Sequence, residues 1–218
     1  RGYLSLNQYS TSNCTHFSFY SMFTGRIATT FGQARQNAVT RGLIPQLIAA
    51  GYEVSTAESI ALEWYDIDKT IFPTAVKRWT PPDEIEDTGT RDNAAVQRTI
   101  AQLSTWRNSE TPRTHITYLE GSHFPYSQSI IDATDTIQAR YHATIRQFDR
   151  RLTDIFEAME QQGIADNTLI IVTSDHGEEL LSEGRMGHSS TLNDLQTVVP
   201  LLVIGGNANT VNIRSHTE

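Results

Sequence analysis

Two apolar runs stand out along the chain. Thr168–Thr173 (TLIIVT) and Val198–Ile204 (VVPLLVI) are nearly continuous, with little polar alternation. Such runs predict strands buried on both faces, in a largely parallel sheet sandwiched between helices. Elsewhere the spacing turns helical. From Asp135 to Gln162 apolar residues recur in steps of three and four: Tyr141, Ile145, Phe148, Leu152, Ile155 or Phe156, and Met159. That is a long amphipathic helix, ended by Gly163. Thr15–Phe23 reads as a short helix with Ser12 and Asn13 as caps and Phe17, Tyr20 and Phe23 on one face. Gly42–Ala49, stopped at Gly51, and Asp92–Trp106, with Val96, Ile100 and Leu103 on one face, are further helices. Tyr52–Thr56 and His115–Leu119 read as short strands. Trp64–Thr90, rich in Pro, Asp and aromatics without a period, reads as a long surface excursion of the kind that carries specificity. Strands alternating with helices predict an α/β domain.

Composition narrows this picture only a little. The 218 residues suit one domain, and no repeat, low-complexity tract or linker divides them. A net charge of −8 offers no electrostatic footprint for nucleic acid. Lys69 and Lys77 are the only lysines, so arginine supplies nearly all the positive charge. Cys14 is the single cysteine, which excludes an internal disulfide. No apolar run is long enough to cross a bilayer as a helix.

Candidate chemistry collects at predicted strand ends. SDHGEE, Ser174–Glu179, follows the TLIIVT strand directly. In open α/β sheets, sites form in the crevice beyond the carboxyl ends of strands. Asp175 and His176 there suit Zn²⁺ or Mn²⁺, and Gly177 would let the backbone turn tightly beside an ion. A capped turn accounts for the same residues equally well. His188, in GHSS, is a metal ligand, a donor to an anionic oxygen, or a solvated loop residue. His123, in LEGSHFPY, faces the same crevice or packs as a turn histidine on Phe124 or Tyr126. In the opening stretch STSNCTHFSFYSMFTGR, Cys14 and Thr15 both sit where a helix N-terminus would favour a nucleophile. The plain alternatives are a small buried thiol and a cap hydroxyl.

Taken together, these motifs resemble the sulfatase branch of the alkaline-phosphatase superfamily. TLIIVTSDHGEEL is similar to that family's strand and metal loop, and GHSSTLNDLQTVVPLLVIGG to the stretch that follows it. LEGSHFPY is similar to the histidine loop of membrane-anchored phosphoglycerol and phosphoethanolamine transferases, and MFTGR to the family's Leu-Leu-Thr-Gly-Arg. Counting back from Gly25 in the family pattern puts the nucleophile on Thr15. Cys14 is followed by Thr15-His16-Phe17-Ser18 and lacks the proline and arginine that direct conversion to formylglycine, which weakens sulfate esters as substrates.

The resemblance implies an alkaline-phosphatase-like α/β fold and a metal-dependent hydrolase or transferase of phosphate or sulfate esters. Its parts would be a covalent Thr15 intermediate, a divalent ion (Mn²⁺ or Zn²⁺, with Ca²⁺ or Mg²⁺ as further options) on Asp175, His176 and Thr15, and substrate held by His123 and His188. It further implies a lipid- or glycan-linked substrate and a periplasmic domain of a bacterial inner-membrane protein, joined to the membrane through a segment outside this chain. A non-catalytic lipid-binding or regulatory domain is the alternative. The family's first metal-ligand strand precedes the nucleophile helix and Ile213–Glu218 resembles the start of its next segment. The expectation is therefore a single-domain fragment, incomplete at both ends, that binds metal weakly alone.

Overall fold

The chain enters on a strand that the apolar pattern does not announce. In the computed structural model, which describes residues 2–36, 41–126 and 136–205, Gly2–Tyr9 forms β1. Helix α1 (Thr15–Thr24) follows, and Gly25, at φ 68°, closes it by donating its N–H to the Ser21 carbonyl. A one-turn α2 (Phe31–Ala34) and α3 (Leu43–Ala49) lead to β2 (Glu53–Glu58). Next come α4 (Ile67–Ile71), α5 (Thr88–Leu103) and β3 (Arg113–Tyr118). The long helix α6 (Ile137–Gln162) precedes β4 (Leu169–Thr173), a small hairpin of β5 (Glu179–Leu180) and β6 (Met186–Gly187), the short α7 (Asp194–Thr197), and β7 (Val198–Gly205). Asp135, the expected start of α6, and the segment Ile213–Glu218 lie outside the described residues.

The α/β class holds, and the strand directions are mixed. β2 and β3 pair in parallel, joined by the α5 crossover that a parallel pair requires. β7 runs antiparallel to both β1 and β4, in the order β1-β7-β4. Only a hairpin and one helical turn separate β4 from β7, a connection without the long helix of a parallel crossover. TLIIVT is therefore not buried on both faces: Leu169 is 55% exposed and Ile171 60%, while Ile170 packs toward Leu103, Met159 and Ile164.

Most of the apolar core lies between α1, α3, α4 and β2, where Phe19, Phe23, Ile44, Val54, Ile67, Ile71 and Phe72 meet. The Trp64–Thr90 segment supplies several of these residues. It is not a surface excursion; α4 is simply too short to show a helical period. Helix α5 also starts a turn earlier than its apolar residues suggest, because Asp87 caps it by accepting from the Thr90 N–H (2.7 Å). On α6 the buried stripe includes polar Thr144 and Arg151. Arg151 reaches Asp92 of α5 (3.1 Å) and the Gly89 carbonyl (2.9 Å), so a buried ion pair turns the helix partly away from Ile145, which is exposed.

His115 of β3 is held between Ser55 of β2 (2.8 Å) and Thr99 of α5 (3.1 Å). Burial, assisted by the charge of Arg98, pushes its pKa down to about 4. The unfolded chain, with an ordinary histidine, therefore binds an extra proton as pH falls below about 6.5. The contribution is complete above that value and is lost toward pH 4. Between pH 7 and 4.5 it removes roughly 2–3 kcal/mol of stability. Urea unfolding at the two pH values should show a flatter acid limb for His115→Gln than for wild type; equal acid losses would refute the assignment.

Candidate active site

The sheet ends, and one long-range knot of hydrogen bonds, bring distant motifs together. Asp175–Glu178 leave β4, the 119–126 loop leaves β3, and Thr15 opens α1 behind an extended Cys14 (φ −131°, ψ 131°). Gln196 of α7, fully buried, ties the start of α1 to the loop that follows β4. Its amide oxygen accepts from Asn13 Nδ2 (2.8 Å) and from the N–H groups of Ser190 and Thr191, and its Nε2 donates to Glu179 (3.0 Å) and Ser190 Oγ (2.7 Å). Ser10 Oγ donates to the Asp175 carbonyl, anchoring the metal-loop candidate to the end of β1.

All five residues singled out from the sequence meet here. Thr15 Oγ1 lies 3.1 Å from His176 Nε2, and Asp175 Oδ2 lies 3.4 Å from the same nitrogen. His176 Nδ1 faces the Gly177 carbonyl at 2.9 Å. A carbonyl only accepts, so Nδ1 donates to it, and Nε2 is the ring atom turned to Thr15 and Asp175. The His188 ring sits 4.1 Å from that of His176 and 5.1 Å from that of His123. His123 Nδ1 donates to the Phe124 carbonyl (2.7 Å) and His188 Nδ1 to Glu178 Oε2 (3.2 Å), leaving Nε2 of each uncommitted in these contacts. A cavity of about 220 Å³ opens over Thr15, His123 and His188. Cys14 also lines it, but its thiol is turned to Ser189 Oγ (2.9 Å), away from the His176 contact.

Electrostatics sort these groups. The Glu178 hydrogen bond and charge hold the His188 pKa up against burial, so the ring keeps its proton to higher pH. Burial, reinforced by Asp92 and Asp175, pushes Glu120 up to about 7. Burial and the nearby Arg35 charge lower His16.

The donor set fits a divalent cation. Besides the Thr15–Asp175–His176 group, ligand atoms of His176, Glu178 and His188 all lie within 4.8 Å of one another. Glu178 Oε1 is buried near the buried Tyr126 hydroxyl, whose pKa is raised by burial and by the charge and hydrogen bonding of Glu178. Imidazole, carboxylate and hydroxyl donors gathered this closely are a donor set that a divalent cation can use. Glu178 is the residue that motif reading missed as a possible ligand. Its signal was its place two residues after His176, which says nothing about its contact with His188 ten residues on. Gln196 gave no signal at all.

A family model described as Sulfatase matches residues 1–217. Bovine (Bos taurus) arylsulfatase K is 38% identical over 69 residues, a match covering 32% of this chain and 13% of that protein. The chain thus spans a small part of the curated relatives it matches. Among solved structures, the C-terminal periplasmic domain of phosphoethanolamine transferase EptC from Campylobacter jejuni superposes with a TM-score of 0.69 at 16% identity, over 93% of this chain and 67% of that one. The lipoteichoic acid synthase LtaP from Listeria monocytogenes gives 0.72 at 13% identity, over 96% and 58%. These structural likenesses show the shared fold. Because the family match runs almost end to end, through the Thr15 helix, the His123 loop and the Asp175–His176 turn, this chain belongs to the sulfatase family.

Proposed function

We propose that the chain carries a hydrolase or transferase site for phosphate esters that works through a covalent phosphothreonine on Thr15. One observation carries the reading: the Thr15 hydroxyl, at a helix N-terminus, lies 3.1 Å from Nε2 of His176 and borders the cavity lined by His123 and His188. Cys14 has its thiol bonded elsewhere, which supports the threonine over a modified cysteine and phosphate over sulfate.

A divalent cation, Zn²⁺ or Mn²⁺, on Asp175, His176 and Thr15 would supply neutralising charge and a lowered hydroxyl pKa when bound. The residues of the chain account for the rest. Unpaired amides in the first turn of α1 favour the anionic oxygen and the incoming phosphate. Nε2 of His176 would be occupied as a ligand of the ion, so the Thr15 proton leaves to water as the Thr15 oxygen attacks phosphorus. The protonated His188, braced by Glu178, holds a phosphoryl oxygen through Nε2 and gives its proton to the departing alkoxide. The Thr15 O–P bond forms, the P–O bond to the alcohol breaks, and water or a second alcohol later takes the phosphoryl group. His123 offers Nε2 to the same oxygens.

Similarity to a periplasmic transferase domain supports an envelope lipid or glycan ester as substrate, with attachment to the membrane outside this chain. No helix among the described residues is long and apolar enough to cross a membrane. The test is to incubate the full-length protein and Mn²⁺ or Zn²⁺ with a generic phosphodiester and a sulfate ester, quench in acid, and map any phosphoryl group by peptide mass. Phosphorylation at Thr15 with turnover is the expected result. No turnover with any metal, alongside phospholipid binding, would instead identify a non-catalytic lipid-binding domain.

A further inference from the structure

The His123 loop meets solvent at its tip and the protein interior at its two feet. His123, Phe124 and Pro125 are exposed, whereas Gly121 and Tyr126 on either side are buried. The place of the tip is therefore set at the feet. On the far side the Tyr126 ring meets that of Tyr141 on α6 nearly edge-on, with centroids 5.4 Å apart. Its N–H donates to the His123 carbonyl (3.0 Å).

The near foot hangs on a buried carboxylate that the proposed chemistry does not use. Asp92 of α5, 1% exposed, accepts the Glu120 N–H on Oδ1 (3.0 Å) and the Gly121 N–H on Oδ2 (3.1 Å). Ser59 Oγ shares the Glu120 N–H (2.9 Å). Arg151 of α6 donates to Asp92 Oδ2 (3.1 Å) and is itself held by Asn93 Oδ1 (2.8 Å) and the Gly89 carbonyl (2.9 Å). Burial pushes the pKa of Asp92 up, while Arg151, Ser59 and the two amides oppose it. Each of these partners donates to Asp92, as an ionised carboxylate requires.

The path from this carboxylate to the imidazole is short and stiff. The Glu120 carbonyl and the Gly121 N–H belong to one planar peptide unit. Asp92 grips the N–H end, and the carbonyl end accepts the His123 N–H (2.9 Å). A tilt of that plane therefore moves the His123 backbone directly. The ring follows, since its Nδ1 donates to the Phe124 carbonyl (2.7 Å) within the same turn. It stands 5.1 Å from the ring of His188, with which it lines the cavity. A tie between α5 and α6 would need only Arg151 and Asp92. The two amide bonds are what extend that tie to the loop.

We propose that Asp92, braced by Arg151, is a positioning residue: it holds the Glu120–Gly121 peptide and, through it, His123 at the cavity. The proposal rests on the function proposed above for the task of His123, and its test separates the two. In the full-length protein with Mn²⁺, kcat/KM on bis(p-nitrophenyl) phosphate is measured for Asp92→Asn in wild type and on a His123→Ala background. An asparagine offers one oxygen and turns an NH₂ donor toward the other amide. Alone, it also takes the negative member from a buried ion pair, so Asp92→Asn/Arg151→Gln, which keeps the pair neutral, is carried alongside.

Each variant should lower kcat/KM by about tenfold to a hundredfold in wild type, the scale of a displacement near 1 Å. On His123→Ala the loss should shrink below about twofold, because the group being positioned is gone. Hydrogen exchange read by mass spectrometry, with or without turnover, should be faster in the 119–123 peptide and unchanged in the 175–178 peptide. An equal fold-loss on both backgrounds, full activity of both Asp92 variants, or unchanged exchange at 119–123 would overturn the proposal. If His123→Ala keeps wild-type turnover while exchange at 119–123 rises, the task given to His123 fails and the clamp stands. If His123→Ala loses activity and the Asp92 variants do not, the function stands and the clamp fails.

Discussion

Thr15→Ala is expected to lower kcat on any ester the full-length protein turns over by at least about a thousandfold, the scale seen when a covalent nucleophile is removed. Thr15 is buried, yet the substitution removes only a hydroxyl and a methyl, so the fold should survive. Loss of the Thr15–His176 hydrogen bond should cost about 1 kcal/mol. Activity and stability therefore separate, and a thermal melt beside the rate measurement shows which has been lost. Thr15→Ser keeps the oxygen and should retain a measurable fraction of turnover, whereas Cys14→Ala should leave the same assay within a few-fold of wild type, since its thiol faces Ser189. A Thr15→Ala protein that keeps a tenth of wild-type kcat would move the nucleophile elsewhere.

Why these residues could be found without a structure, and others could not, has a physical basis. Asp175, His176, His123 and His188 sit in short motifs next to apolar strands, and strand ends in α/β folds converge on one crevice. Their convergence on Thr15 follows from local signals alone. Glu178 and Gln196 depend on partners far along the chain: Gln196 bonds Asn13 across 183 positions, and no spacing rule reports that. Directions of strands were also hidden, because β7 has the same continuous apolar run whether it pairs parallel or antiparallel. β1 was missed because it is a polar-rich strand whose Leu4 and Leu6 remain exposed. The Trp64–Thr90 segment misled for the opposite reason. Its prolines and aspartates suggested surface, while Ile67, Ile71 and Phe72 reach the core over a helix of five residues.

Gly177→Ala should be the most damaging change after loss of the nucleophile, and for a reason the motif alone does not reveal. The sequence suggested that this glycine serves a tight turn, but its φ is not among the left-handed values. What requires glycine is proximity. A β-carbon here would collide with the Leu195 carbonyl oxygen, and would stand 3.1 Å from the Leu195 carbonyl carbon and 3.2 Å from that of Gln196. These are backbone atoms that cannot swing aside as a side chain would. The Gly177 N–H also donates to the Gln196 carbonyl (2.9 Å), so relief of the clash must either break this bond or shift α7. A shift of α7 moves the Gln196 side chain, and with it Asn13, Ser190 and Glu179. Both walls of the site would then lose register, and a displacement near 1 Å costs about a hundredfold in rate. Gly184→Ala is the matched control: its β-carbon meets nothing, though φ of 77° leaves it strained, so it should cost about 1 kcal/mol of stability with little change in kcat/KM. Equal kcat/KM for Gly177→Ala and wild type would show that the loop tolerates the displacement and that the Gln196 knot does not position the site.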